Sequence, residues 1–392
     1  MAVVVELTEP AGKFQVESEF YRVCFERGAG VHCGAMDFVV KQGENANKVT
    51  DGSNRLQRPF TLMFEEATAY YFSPKQELGA VESSGLRCVL GSSGGAFAGV
   101  NNSRSTFNSF SADVRVAAYR DRFLMRYVWR NGSPTPVVVY SNMHMWWYSN
   151  GFYQRSTVLK DSTRRAAYDG GTCDWAMCVW LWNEFAEPHG VVDDVNAGRL
   201  AHWLRDGDLP AVGSGDGDFA QVIAVFVQPP GSSTELTDLR GKIDDYHFPD
   251  VPAMEAGERM TGSAGDDDGD GFNESEGAYH FACVGSRVKF GLDVERGGAT
   301  ARAFYYPVFV LHGYEGAGAP VLRLNGVLLD GESGGRHGGG SHEGASYASV
   351  VLPGNVGLVW CGLVLGEDCV VEAAECFGSR RLVGVGAGRM RG

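Results

Sequence analysis

The chain has 392 residues, 44% of them hydrophobic, and a formal net charge of −14. That is apolar mass enough for two packed cores and excludes wholesale disorder. The acidic balance excludes a nucleic-acid backbone as partner, whose binders carry basic patches. No apolar run approaches the ~20 residues of a membrane-spanning helix.

Glycine is abundant, at 54 residues, without a collagen-like period of three, which suits a protein of strands and turns. Residues 1–10 lack a basic segment followed by a long apolar one, so they do not read as a signal peptide. The expected alternatives are a cytoplasmic protein or one whose leader has been removed. Nine cysteines follow no zinc or redox spacing. Cys24 and Cys33 are placed to bridge adjacent strands, but mostly free, buried thiols are expected.

In chain order, residues 20–25 (Phe-Tyr-Arg-Val-Cys-Phe) alternate, with Tyr21, Val23 and Phe25 on one face. Residues 114–119 and 123–129 flank Arg120, Asp121 and Arg122 and predict a hairpin. Further strands are expected over 136–140 and 222–227. A short helix is expected within 234–246, capped by Thr234 or Thr237. Residues 249–270 lose strand patterning to Pro, Gly, Met and acidic residues and read as a boundary. Residues 287–294 alternate again. Residues 304–311 predict a strand interrupted by Pro307, hence at an edge or a bulge. Residues 321–329 predict a hairpin closed by Asn325-Gly326, a pair that tolerates the positive φ angles of a type I′ turn. Residues 350–352, 356–360 and 369–372 complete the set, and the glycine-rich stretch 331–344 reads as a loop. The fold class expected is all-β: a large N-terminal sandwich over 10–250 and a smaller C-terminal sandwich over 260–380.

Residues 266–276 (Asp-Asp-Asp-Gly-Asp-Gly-Phe-Asn-Glu-Ser-Glu) concentrate hard oxygen ligands on one short loop. Asp266, Asp268, Asp270 and the following Gly271 match the opening positions of an EF-hand loop, and Phe272 offers its carbonyl. The closing bidentate Glu is replaced by Gly277 and no helices flank the loop. The pattern therefore resembles the shortened calcium loops of dockerin and thrombospondin type, with Glu274 or Glu276 closing the shell. The expected cofactor is a structural Ca²⁺. The plain alternative is a solvated acidic linker.

A second constellation runs from Asn142 through His144, Trp146, Trp147, Tyr148, Asn150 and Tyr153 to Arg155. Aromatic planes stack on the apolar faces of sugars while amide, imidazole and guanidinium groups bind hydroxyls, so a glycan is the expected partner. The alternative is an aromatic sandwich core. Were the site catalytic, these residue types suit β-elimination on a uronic-acid glycan. His144 or Tyr148 would act as base, Tyr153 as acid, and Arg155 or Asn142 would neutralise the carboxylate; Trp146, Trp147 and Asn150 would bind substrate. A glycosidase would instead use two carboxylates from Asp174, Glu184, Glu187, Asp193 and Asp194. His189 and His202 read as structural histidines.

Three places carry a resemblance to the supersandwich proteins of carbohydrate metabolism: the galactose-mutarotase-like group and the β-sandwich regions of polysaccharide lyases. These are residues 19–25 followed by Gly28-Ala-Gly30, residues 114–134, and residues 268–279. The resemblance implies a carbohydrate-active protein, most simply a polysaccharide lyase or related sugar-modifying enzyme, in a secreted or cell-surface setting. The alternative is a non-catalytic, calcium-stabilised carbohydrate-binding or surface-assembly protein.

Overall fold

The computed structural model describes residues 5–26, 36–40, 56–64, 70–74, 78–99, 107–131, 139–148, 158–160, 165–169, 176–183, 190–194, 199–203, 219–228, 252–263, 265–266, 269–292, 304–333, 347–365 and 369–375. Among these residues every regular element is a β-strand, as alternation and glycine content imply. The helix expected within 234–246 lies outside the described residues.

The strands from Val5–Thr8 to Phe219–Gln228 form one hydrogen-bonded network of seventeen. Its well-packed centre is the predicted hairpin, Phe107–Ala118 with Arg122–Asn131, paired from Ala118 opposite Phe123 to Phe110 opposite Asn131. Both faces of this hairpin are covered. Val114, Val116 and Phe123 lie on one face, where the Phe123 ring meets Tyr21 and Phe25 at 5.5 and 6.3 Å between centroids. Ala117, Tyr119 and Leu124 lie on the other and join a core shared with the later strands. Double coverage explains why residues 114–118 (Val-Arg-Val-Ala-Ala) lack the polar alternation of a half-exposed strand.

The later strands form two facing layers. One contains Ala253–Ala256, Arg287–Leu292, Cys369–Ala374, Val321–Leu324 and Val327–Leu328. The other contains Glu258–Arg259, Ala278–Ala282, Val308–His312, Val356–Cys361 and Tyr347–Leu352. Phe290 of the first layer stacks on Phe281 of the second at 4.5 Å and meets Phe309 edge-on at 5.3 Å. Such buried rings each contribute about 1.5–3 kcal/mol through removal from water. The architecture is sandwich-like, in keeping with the expected all-β class.

Three local expectations are sharpened. Pro307 does not sit at a bulge within one strand: it separates Phe304–Tyr305, paired with Val364–Leu365, from Val308–His312 in the second of these layers. Tyr306, at φ 50°, turns the chain between them. Residues 249–270, expected to lack strands, contain Ala253–Ala256 and Glu258–Arg259, which pair with strands beyond the acidic loop. The loop is therefore inserted within the later sheets and does not lead into them. The Cys24 thiol faces Gln15 Oε1 at 3.5 Å, and Cys33 lies outside the described residues.

Candidate functional site

The aromatic segment falls on the strand Val139–Tyr148, which pairs antiparallel with Arg199–Trp203 and, through two register shifts, with Leu56–Phe64. Strand alternation places Asn142, His144, Trp146 and Tyr148 on one face and Trp147 on the other. The pairing brings further residues onto the first face. His144 stands opposite Trp203 and, on its other side, opposite Thr61; Trp146 stands opposite Ala201 and Gln57; Tyr148 stands opposite Arg199. The next strand continues these rungs, with Asp194 opposite Arg199 and Val192 opposite Ala201. The backbone register thus sets His144 beside Trp203, and Tyr148 beside Arg199, which is itself opposite Asp194. Asn150, Tyr153 and Arg155 lie outside the described residues.

Sequence reasoning grouped Trp146 with Trp147, and the period of two separates them. It did not group Arg199, some 50 residues downstream, with this segment, and weighed Asp194 only among five candidate glycosidase carboxylates. The signal for Arg199 was the alternation Arg199-Leu-Ala-His-Trp203, whose register no local pattern fixes.

At the acidic loop, Asp266 caps the turn from within. Its Oδ1 accepts the Gly269 amide at 2.8 Å, and its Oδ2 accepts those of Gly262 and Gly271 at 2.9 and 3.2 Å. Asp270 Oδ1 accepts the Phe272 amide at 2.7 Å, and Arg259 holds the Asp270 carbonyl at the same distance. Gly265, at φ 110°, is the residue that lets the turn close: a Cβ there would stand 2.3 Å from Ser275 Oγ. Asn273 Oδ1 accepts Ser275 Oγ and the Glu276 amide, completing the bend. Phe272 and Glu274 are buried. Asp268 lies outside the described residues, and among the described ones no three His, Cys, Asp or Glu converge on a metal position.

Glu276 turns the other way. Its Oε2 meets Arg87 Nη1 at 2.5 Å, its Oε1 meets Arg115, and its own carbonyl accepts the Tyr119 hydroxyl. Arg87 is held in turn by Glu82, through Nε at 3.0 Å and Nη2 at 2.6 Å. Burial alone would raise the Glu276 pKa, but the His280 contact and the charges of Arg87 and Arg115 outweigh it and hold the carboxyl well below the usual range. A carboxylate whose two oxygens face guanidinium groups is removed from the calcium ligand set. The physical reason was invisible locally, because Arg87 and Arg115 are 189 and 161 residues away in sequence.

Beside this cluster, His280 Nε2 lies 3.2 Å from Glu276 Oε2, too obliquely for a strong hydrogen bond, and His280 Nδ1 lies 3.0 Å from His312 Nε2. Arg122, fully buried, bonds the carbonyls of Tyr306 and Gly277 at 3.2 and 3.3 Å and pairs with Asp121. The first sheet and the later layers are therefore joined by a buried polar seam as well as a shared apolar core.

No protein-family model matches this chain, and no curated protein does. Solved structures resemble it weakly. An active YidC insertase with its first transmembrane domain resolved aligns at TM-score 0.33 and 13% identity, over 64% of this chain and 44% of the other. YidC from Thermotoga maritima aligns at TM-score 0.31 and 12% identity, over 62% and 55%. A protein assigned as an aldose 1-epimerase from Escherichia coli K12 aligns at TM-score 0.27 and 12% identity, over 57% of this chain and 99% of the other. The chain spans about half the length of the two insertases.

Proposed function

We propose that this chain recognises a glycan across the sheet face bearing Asn142, His144, Trp146 and Tyr148. The observation that supports this reading is the register that sets Trp203 opposite His144 and Arg199 opposite Tyr148. Indole rings stack on pyranose faces, while imidazole, guanidinium and carboxylate groups bind hydroxyls and acid substituents. The chain's charge of −14 disfavours an anionic polymer unless a cation lines the site, and Arg199 supplies that cation. The reaction class that fits is β-elimination on a uronic-acid glycan, with Arg199 neutralising the carboxylate and His144 or Tyr148 removing the α-proton.

The test is a panel of neutral and uronic-acid polysaccharides, read both by binding and by the ultraviolet absorbance of unsaturated products. Binding with product formation is the expected result for a uronic-acid member. Binding without absorbance assigns a carbohydrate-binding protein, and absence of both removes the glycan reading.

Calcium at the 266–276 loop belongs to the same proposal. Its ligands would be Asp266, Asp268, Asp270, Glu274 and the Phe272 carbonyl. Asp266 already accepts three amides, which leaves about one of the roughly four lone-pair sites of a carboxylate for a cation. A chelator should then lower the melting temperature, and added Ca²⁺ restore it. An unchanged temperature assigns the shape of the loop to its internal hydrogen bonds alone.

A further inference from the structure

Cys361 and Cys369 stand at the ends of two strands in opposite layers of the later sandwich, Val356–Cys361 in one and Cys369–Ala374 in the other. Register shows which face each cysteine shares. Val359 stands opposite Phe309, and Val371 stands opposite Phe290. The Phe290 and Phe309 rings meet between the layers at 5.3 Å, so the face bearing Val359 and the face bearing Val371 both look inward. Cys361 and Cys369 each lie two positions from these residues and share their faces. Both thiols therefore enter the space between the layers.

The two cysteines also agree in level. Gly257 joins Ala253–Ala256 of one layer to Glu258–Arg259 of the other, and a Cβ there would stand 2.7 Å from the Ala282 carbonyl and 3.4 Å from Val288. The Ala282 and Val288 ends of the layers thus lie over one another. Ala282 connects through His312 to Val356, and Val288 pairs with Ala373. Cys361 and Cys369 occupy the opposite ends of those two strands, which is the far rim of the sandwich in both layers. Their electrostatic influence agrees: burial pushes the Cys361 thiol up to about 12, the Leu363 amide opposes the rise and Cys369 adds to it.

We propose that Cys361 and Cys369 are a disulfide-forming pair that ties the two layers of the later sandwich together at this rim. Both are thiols in the structure. Packed sheets stand about 10 Å apart and a disulfide needs Cα atoms about 4.4–6.8 Å apart, so the layers draw together at the bridge, as they do in immunoglobulin sandwiches. The chain favours this by returning from one cysteine to the other within eight residues. The pair does not depend on the glycan reading.

The oxidant is a small disulfide, RSSR, of the oxidised-glutathione class. Cys369, the more exposed of the two, attacks one sulfur of RSSR as the thiolate; the S–S bond breaks and RS⁻ leaves. Cys361 gives its proton to solvent, attacks Cys369 Sγ and displaces the second RS⁻. The cysteines lose two electrons and two protons, and RSSR becomes two RSH. Cys361 is fully buried and holds its proton tightly, so the second step is slow and the finished bond is shielded from reductants.

The test is oxidation of the folded full chain in a glutathione buffer, alkylation of the remaining thiols, and cleavage after glutamate. Glu367, Glu372 and Glu375 put Cys361, Cys369 and Cys376 on different peptides, so the mass of a linked pair identifies its members. The expected product joins Cys361 to Cys369, forms more slowly than the glutathione adduct of Cys369, and loses its preference for this pair in denaturing urea. Oxidation should raise the folding equilibrium constant, read by urea unfolding, by about tenfold to a hundredfold, and Cys369→Ala should abolish the gain. A link from Cys369 to Cys376, an adduct that never resolves, a linked form no more stable than the reduced one, or a gain that persists in Cys369→Ala overturns the proposal. Should the variant not fold, the peptide map of the wild type decides alone.

Discussion

The two stretches richest in chemistry-bearing side chains, residues 142–155 and 266–276, are built on opposite principles. The first is strand over its described part, and strand alternation divides neighbours: Trp146 and Trp147 go to different faces, while Trp203 and Arg199 join from a strand far along the chain. The second is a loop, which keeps neighbours together but lets each find its own partner. Asp266 turns inward to three amides, whereas Glu276, ten residues on, turns outward to two guanidiniums. A cluster in sequence is thus neither a site nor a scatter until the backbone around it is known.

Breaking the seam should produce the largest effect. Glu276→Gln leaves buried Arg87 with Glu82 as its remaining counter-charge and takes the carboxylate from Arg115, and removing one partner of a buried pair costs up to about 3–5 kcal/mol. Urea unfolding at pH 7 measures it. A loss below about 1 kcal/mol would mean that water reaches Arg87 and that the apolar core shared by Leu86, Ala117, Tyr119 and the later strands holds the layers without the ionic seam.

Asp266→Ala should cost less, about 2 kcal/mol. Three amides lose one acceptor, but Gly262 and Gly269 are exposed and water replaces part of the loss. The same variant sharpens the comparison between the two ends of the loop, because its cost should add to that of Glu276→Gln in the double variant. A non-additive cost would tie the cap and the seam into one unit.

On the strand, the comparison is between adjacent indoles. Trp146→Ala should weaken glycan binding about tenfold, the worth of one aromatic stacking contact of about 1–1.5 kcal/mol, whereas Trp147→Ala should leave affinity within about twofold. Isothermal titration with the responding polysaccharide reads both. Equal losses would mean that the face assignment, and with it the proposed site, is wrong.

What was legible in the sequence follows the same division. Local chemistry could be read: the hairpin about Asp121, the Asn325-Gly326 turn, the alternation of Tyr21, Val23 and Phe25, all fully buried, and the all-β class. Long-range pairing could not. Nothing near Glu276 announces Arg87, and nothing near Tyr148 announces Arg199, because strand register is set by the whole sheet. Residues 249–270 misled for a related reason. Their short strands are half-exposed or at the edges of layers, so Ala253–Ala256 and Glu258–Arg259 carry little apolar pattern, and they form because partners beyond the loop offer them a ladder.

The smallest effect tests the local side of the comparison in isolation. Asn325 and Gly326 turn at φ 48° and 79°, and a Cβ on Gly326 would meet nothing within 4 Å. Gly326→Ala therefore has no packing cost, only that of holding an L-residue in the left-handed region, about 1 kcal/mol. Asn325 adds a tie that alanine at 326 leaves in place: its amide donates to the Val370 carbonyl at 2.8 Å and its Oδ1 accepts the Val370 amide at 2.9 Å. Because that tie anchors the turn to the neighbouring strand Cys369–Ala374, the loss should appear as a uniform drop in stability, with no change in pH dependence and no change in glycan affinity. A drop above about 2 kcal/mol would show that this exposed hairpin is coupled to the seam, and that even the most local element of the chain draws on contacts its own residues do not reveal.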